Sequence, residues 1–163
     1  MTIAHATAIL PALPRVLDHE PAADAAKLEA LARWAMRFTP RVAADPPDGL
    51  LLDVAGCERL YGGHLSLARQ VRRAVVALRL QVRVAVAPTI GLAWGLAHYG
   101  DEGVCDDMFE IRHLPVAALR VEPEVVAALA EVGADTVGQL ADIPRGEVAR
   151  RFGGGDDLLL RLD

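Results

Sequence analysis

The sequence predicts an α+β fold, a partial sheet with helices packed on it followed by a small all-helical region. Three observations predict it. Pro46-Pro47-Asp48-Gly49 stands between two short runs, 41–44 and 50–54, and Asp-Gly between such runs is a hairpin signal. A valine-rich run, 82–87, lies between two stretches of helical periodicity. Beyond Leu114 every segment reads as a short helix with its own start or stop residue. At 163 residues and 53% hydrophobic content, the chain can bury a real core, in one domain or two small ones.

Taken in order, residues 2–10 have helical spacing and stop at Pro11, so the chain begins inside an element. From Pro21, with Asp24 in the first turn, Leu28, Leu31, Ala32, Ala35 and Phe38 line one helical face that ends near Thr39-Pro40. The hairpin comes next, then a loop over 57–63. Residues 66–78 form a helix with Leu67, Val71, Ala74, Val75 and Leu78 inward and Arg69, Arg72 and Arg73 sharing an outer face. Residues 82–87 form a strand, and Pro88-Thr89 cap a helix from Ile90 to about Tyr99. The order is strand, strand, helix, strand, helix. A polar break over 100–107 follows. Helices then occupy 123–132, closed by Gly133, 136–143, opened by a threonine cap, and 144–152, opened by proline. Gly153 to Gly155 is a flexible break, and 156–163 starts a helix that is cut short.

The formal net charge of −5 makes the whole chain no magnet for nucleic acid. Most of the excess lies beyond Leu114, where five arginines face nine acids. Cys57 and Cys105 are far apart, without a Cys-x-x-Cys pattern, and neither a zinc site nor a disulfide framework is indicated. His5, His19, His64, His98 and His113 share no ligand spacing. No secretory leader opens the sequence and no apolar run is long enough to span a bilayer, so the cytoplasm is the expected location and no membrane contact is expected.

The residues that carry chemistry are acids. A hairpin would hold Asp45, Asp48 and Asp53 near one sheet edge, and carboxylates on adjacent strands are how nucleotidyl-transferring enzymes hold divalent metal. Asp48 before glycine is also an ordinary turn residue, and Asp53 suits a structural role, accepting loop amides around Gly56 or Arg59. Tyr61-Gly62-Gly63 reads either as a substrate-closing loop or as a plain joint between strand and helix. The Arg69, Arg72 and Arg73 stripe reads as a DNA or partner face or as a solvated one.

Residues 39–63 together with 82–99 resemble the Y-family (DinB/UmuC-like) of translesion DNA polymerases, and within it the ImuB-type, catalytically inactive homologues. The family's palm strand has the form Ser-Ile-Asp-Glu-Ala-x-Leu-Asp-Val-Thr-Gly, and here the same frame reads Pro46-Pro47-Asp48-Gly49-Leu50-Leu51-Leu52-Asp53-Val54-Ala55-Gly56. Phe38-Thr39-Pro40-Arg41-Val42 is similar to the Tyr-Ser-Pro-x-Val that precedes it, and Val86-Ala87-Pro88-Thr89-Ile90-Gly91-Leu92-Ala93-Trp94 is similar to Gly-Ile-Gly-x-Asn-Lys-x-x-Ala-Lys. The resemblance implies the end of a fingers region over 1–18, a palm-like domain with a ferredoxin-like strand order over 19–113 and a helix-hairpin-helix thumb over 114–163.

The departures from that pattern carry the functional expectation. An active member joins the Asp-Glu pair to an aspartate of a first strand, which would precede Met1 here, and holds two metal ions. In this chain Asp48 is the remnant and Gly49 stands at the glutamate position. The family's triphosphate-contacting lysines align with Ile90 and Trp94, which cannot donate a charge-assisted bond. The thumb's phosphate-gripping Gly-x-Gly turn aligns with Val121-Glu122-Pro123, where proline lacks the amide and glutamate repels phosphate. The resemblance therefore implies a protein of bacterial DNA repair and damage-induced mutagenesis that scaffolds translesion synthesis without catalysis. It needs no cofactor, and Mg²⁺ enters only under an alternative reading as an active nucleotidyltransferase in full-length form. Its implied partners are a sliding clamp, a RecA-like accessory protein and an error-prone polymerase of the replicative type. DNA contact would be weak or indirect, through Arg145, Arg150 and Arg151. A plain DNA-binding helix-hairpin-helix module is the remaining alternative.

Overall fold

A computed structural model describes residue 9 and residues 20–151. The glycine break and the helix expected over 156–163 lie outside the described residues, as does the N-terminal helix apart from residue 9. The chain divides into two compact units, Met1–Asp53 and Val54–Asp163.

In the first unit, helix α1 (Pro21–Ala35) begins with a proline and carries Asp24 in its first turn. The fixed φ of proline suits that position, and a carboxylate there faces the positive end of the helix dipole. Ala32, Ala35, Phe38 and Thr39 are buried, and Trp34 meets Phe38 edge-on with ring centroids 5.8 Å apart. The Thr39 hydroxyl donates to the Asp53 carbonyl and accepts from the Arg41 amide at 3.3 Å. The Phe38-Thr39-Pro40 corner is thereby fastened to the chain leaving the hairpin.

Strands β1 (Val42–Asp45) and β2 (Gly49–Leu52) pair antiparallel, with Val42 opposite Leu52 and Asp45 opposite Gly49. The hairpin expected from the sequence is present, but Gly49 belongs to the strand and not to the turn. The turn consists of Pro46, Pro47 and Asp48, with a cis peptide bond between the prolines.

In the second unit, a four-residue helix α2 (Glu58–Tyr61) occupies the stretch expected as a loop and ends on Gly62 at φ 76°. Helix α3 (His64–Ala77) buries Leu67, Ala68 and Val75 and turns Arg69, Arg72 and Arg73 outward. The strand expected over 82–87 shrinks to β3 (Ala85–Val86), which pairs in parallel with β4 (Gly103–Val104) inside the expected polar break. The partner offers only two residues. Upstream, the Arg83 guanidinium bonds to the carbonyls of Leu96 and Gly100. Among the described residues the sheets are these two separate pairs.

Helix α4 (Ile90–Tyr99) is capped by Thr89, whose hydroxyl oxygen accepts from the Leu92 amide at 3.3 Å. Two 3₁₀ helices, Met108–His113 and Val116–Leu119, precede α5 (Pro123–Glu131), α6 (Val137–Asp142) and α7 (Arg145–Arg151). The threonine cap read from the sequence is a full capping box, with Thr136 and Gln139 satisfying each other's backbone amides. One core cluster joins Leu92, Leu96, Leu114 and Ala118, and a second gathers Val116, Leu119, Leu129, Val137, Leu140 and Val148 among its members. Gly95 makes the first possible, since a Cβ there would lie 2.9 Å from Leu114 Cδ1 and 3.3 Å from the Ala118 methyl. Helices and small sheets together bear out the mixed α+β class.

Candidate functional site

The hairpin positions Asp45, Asp48 and Asp53. Asp48 is exposed at the tip, and Asp45 lies one turn across from Gly49. Asp53 stands beyond the other end of the ladder, where its amide donates to the Arg41 carbonyl at 3.0 Å. From the Asp45 and Gly49 pair to the Arg41 and Asp53 pair is four strand residues, or about 13 Å. The expectation that the three acids sit together is corrected by that register, because Mg²⁺ takes its oxygens at about 2 Å. Among the described residues no three His, Cys, Asp or Glu side chains gather into a metal-ligating group. The Asp53 carboxylate meets the Arg41 guanidinium at 3.1 Å.

Gly49 is more than an omitted carboxylate. A Cβ built there would come 3.0 Å from the Asp45 carbonyl oxygen, 3.1 Å from Asp45 Oδ2 and 3.3 Å from Asp45 Cβ. Those distances are tight, and the nearest atom is backbone. Any side chain at this position requires the closing pair of the hairpin to give way. Among the described residues, the hairpin carboxylates do not fit a divalent metal pair.

The two positions aligned with lysines behave differently from each other. Ile90 opens α4 and is 63% exposed. Trp94 has become a packing residue. His98, one turn on, stacks against it with centroids 3.8 Å apart, and the Arg120 guanidinium carbon lies 4.8 Å over its ring. Arg120 reaches it from a left-handed backbone position, φ 59°. Trp94, Tyr99, Arg120, Val121, Pro123 and Val126 are among the residues lining an open depression of about 390 Å³. The sequence reading missed this contact. Its one visible signal was the i, i+4 spacing of Trp94 and His98.

At the turn before α5, Glu122 is the N-cap and Pro123 the first helical residue. The Val125 and Val126 amides are turned inward to the Glu122 carbonyl at 2.9 and 3.1 Å. Arg145 and Arg150 are exposed on α7, and Arg151 is its last residue. Near them, Asp142 is held by the Arg112 guanidinium at 2.8 Å, and Glu147 is exposed. On α3, Arg72 pairs with Glu102 at 3.2 Å and Arg73 Nε donates to the Arg69 carbonyl at 3.3 Å. Tyr61 ends α2, and the Gly63 amide closes that turn on the Glu58 carbonyl at 2.7 Å. Cys57 and Cys105 are free and half-buried. No described helix is long and apolar enough to cross a membrane.

Comparison with known proteins places this geometry among relatives. Residues 1–98 match the family model described as the impB/mucB/samB family. The chain is 40% identical, over 98% of its length, to Protein ImuB of Caulobacter vibrioides (strain NA1000 / CB15N), of which the match covers 35%. It is 31% identical over 71% of its length to DNA polymerase IV of Moorella thermoacetica, covering 31% of that protein. DNA polymerase IV 2 of Mesorhizobium japonicum is 34% identical over 71% of the chain, covering 30% of that protein. The chain thus spans about a third of the length of the curated relatives it matches. No solved structure matches it significantly.

Proposed function

The chain belongs to the impB/mucB/samB family, and from that premise we propose that it is the polymerase-like part of a non-catalytic protein acting in bacterial DNA repair and damage-induced mutagenesis. The observation that carries the reading is the hairpin. Its register is complete, yet the position next to Asp48 is a glycine whose side-chain space is bounded by Asp45. Catalysis by two metal ions requires several carboxylates converging on one point. Ile90 and Trp94 at the lysine positions, and Pro123 in place of a bare amide, weaken triphosphate and phosphate contacts in the same direction.

The 40% identity to ImuB over nearly the whole chain supports this reading. On it, residues 19–113 form the palm-like and 114–163 the thumb-like domain of a cytoplasmic scaffold. Its partners are a sliding clamp, a RecA-like accessory protein and an error-prone replicative-type polymerase, with Arg145, Arg150 and Arg151 giving weak DNA contact and Arg69, Arg72 and Arg73 a partner face. The names of the two DNA polymerase IV relatives favour a second reading, an active nucleotidyltransferase in full-length form.

Primer extension separates the two. A full-length version given primer-template, nucleotides and Mg²⁺ is expected to add no nucleotide above a no-enzyme control. Robust incorporation that disappears in Asp48→Ala would establish the enzyme reading and overturn the scaffold.

A further inference from the structure

Two surface patches of the second unit carry opposite charge and matching apolar content. The first is the outer face of α3. Leu65, Arg69, Arg73 and Val76 follow one another at spacings of four, four and three, which places them on one side of the helix. Leu65 is 48% and Val76 50% exposed, and Leu78 and Leu80 just beyond the helix are 45% and 46% exposed. Arg72 is neutralised by Glu102. Arg69 and Arg73 pair with no carboxylate among the described residues. Large apolar side chains interleaved with two uncompensated arginines suit a protein surface better than DNA, which is held by dense cationic contacts to phosphate.

The second patch is the start of the 3₁₀ helix Met108–His113. Phe109 is 72% exposed and Met108 45%, in a chain with only three phenylalanines. Asp106, Asp107 and Glu110 around them are exposed, and Asp106 and Glu110 pair with no basic group among the described residues. The projection is held firmly. Asp107 Oδ1 accepts from the Phe109 amide at 2.8 Å, the Cys105 thiol donates to the Asp107 carbonyl at 3.3 Å, and Arg112 anchors the far end to Asp142. A presented aromatic side chain with little ordering left to lose is what a binding hot spot requires.

We propose that the two patches dock on each other between copies of this chain, the Met108 and Phe109 projection of one copy seating on the Leu65 and Val76 face of a second. Asp106 and Glu110 then meet Arg69 and Arg73. Each patch supplies the charge that the other leaves uncompensated. The small area makes the association weak.

Sedimentation velocity on the chain tests it, at concentrations up to about 1 mM to reach weak association. The wild type is expected to gain mass with concentration. Arg69→Glu/Arg73→Glu and Asp106→Arg/Glu110→Arg are each expected to stay monomeric, with an unchanged helical circular dichroism spectrum. Mixing the two variants in equal amounts is expected to restore association, because the acidic projection of one again meets the basic face of the other. A monomeric wild type, as when another protein covers Phe109, overturns the proposal. So does association that persists in either variant alone, or a mixture that stays monomeric.

Discussion

In the hairpin a side chain is missing, whereas at the turn before α5 a backbone donor is missing. Gly49 keeps its place opposite Asp45, and the ladder from Val42 to Leu52 is unbroken. Pro123 keeps the helix start, with the Glu122 carbonyl still accepting from Val125 and Val126. On the function proposed above, each region preserves the interactions that shape it and gives up a group that would touch a ligand. The two losses differ in how easily they reverse. At position 49 the vacated space is bounded by Asp45 backbone and side-chain atoms, so restoring the glutamate strains the fold. At position 123 one substitution to glycine returns an N–H without needing room for a side chain.

The largest effect should separate the two regions by stability. Leu129 is fully buried in the helical core, whereas Leu51 in β2 is only half-buried. Leu129→Ala is expected to lower the unfolding free energy by about 3 kcal/mol, and Leu51→Ala by clearly less, as read from urea denaturation midpoints. Equal losses would mean that the hairpin is as tightly packed as the helices.

Next comes Gly49→Glu. Crowding against Asp45 is expected to cost about 1–2 kcal/mol and to leave divalent-metal affinity unchanged by calorimetric titration. A stable variant that gains a Mg²⁺ site would show that the missing carboxylate alone silenced the hairpin. The smallest effect is a gain. Val121→Gly/Pro123→Gly is expected to strengthen binding to duplex DNA at low salt about fivefold, the worth of roughly one added hydrogen bond. Fluorescence anisotropy reads it, and no gain at all would mean that Glu122 governs the turn.

Much of this was legible in the sequence because local signals and tertiary structure agree. The Pro-Pro-Asp-Gly punctuation, the Thr89 and Thr136 caps and the proline starts of α1 and α5 each encode a boundary through backbone chemistry close by in sequence. The two-residue β3 and β4 were misjudged, since a parallel pair so short is decided by the partner and not by the valine run. Helix α2 carries no sequence signal, because four residues give no periodicity. In the candidate site, the loss at Gly49 was legible as a missing residue type. Its bounding by Asp45, the pairing of Asp53 with Arg41 and the placing of Arg120 over Trp94 depend on register and on a left-handed backbone position. No pattern of apolar residues encodes those.

The central claim is that the hairpin keeps the family's frame without its metal chemistry. Paramagnetic broadening by Mn²⁺, followed residue by residue in the amide NMR spectrum, tests it most directly. The amides of residues 45–49 are expected to broaden no more than those beside other exposed carboxylates, and equally little in Asp48→Ala. Selective, saturable broadening at Asp48 and Gly49 that vanishes in Asp48→Ala would contradict it.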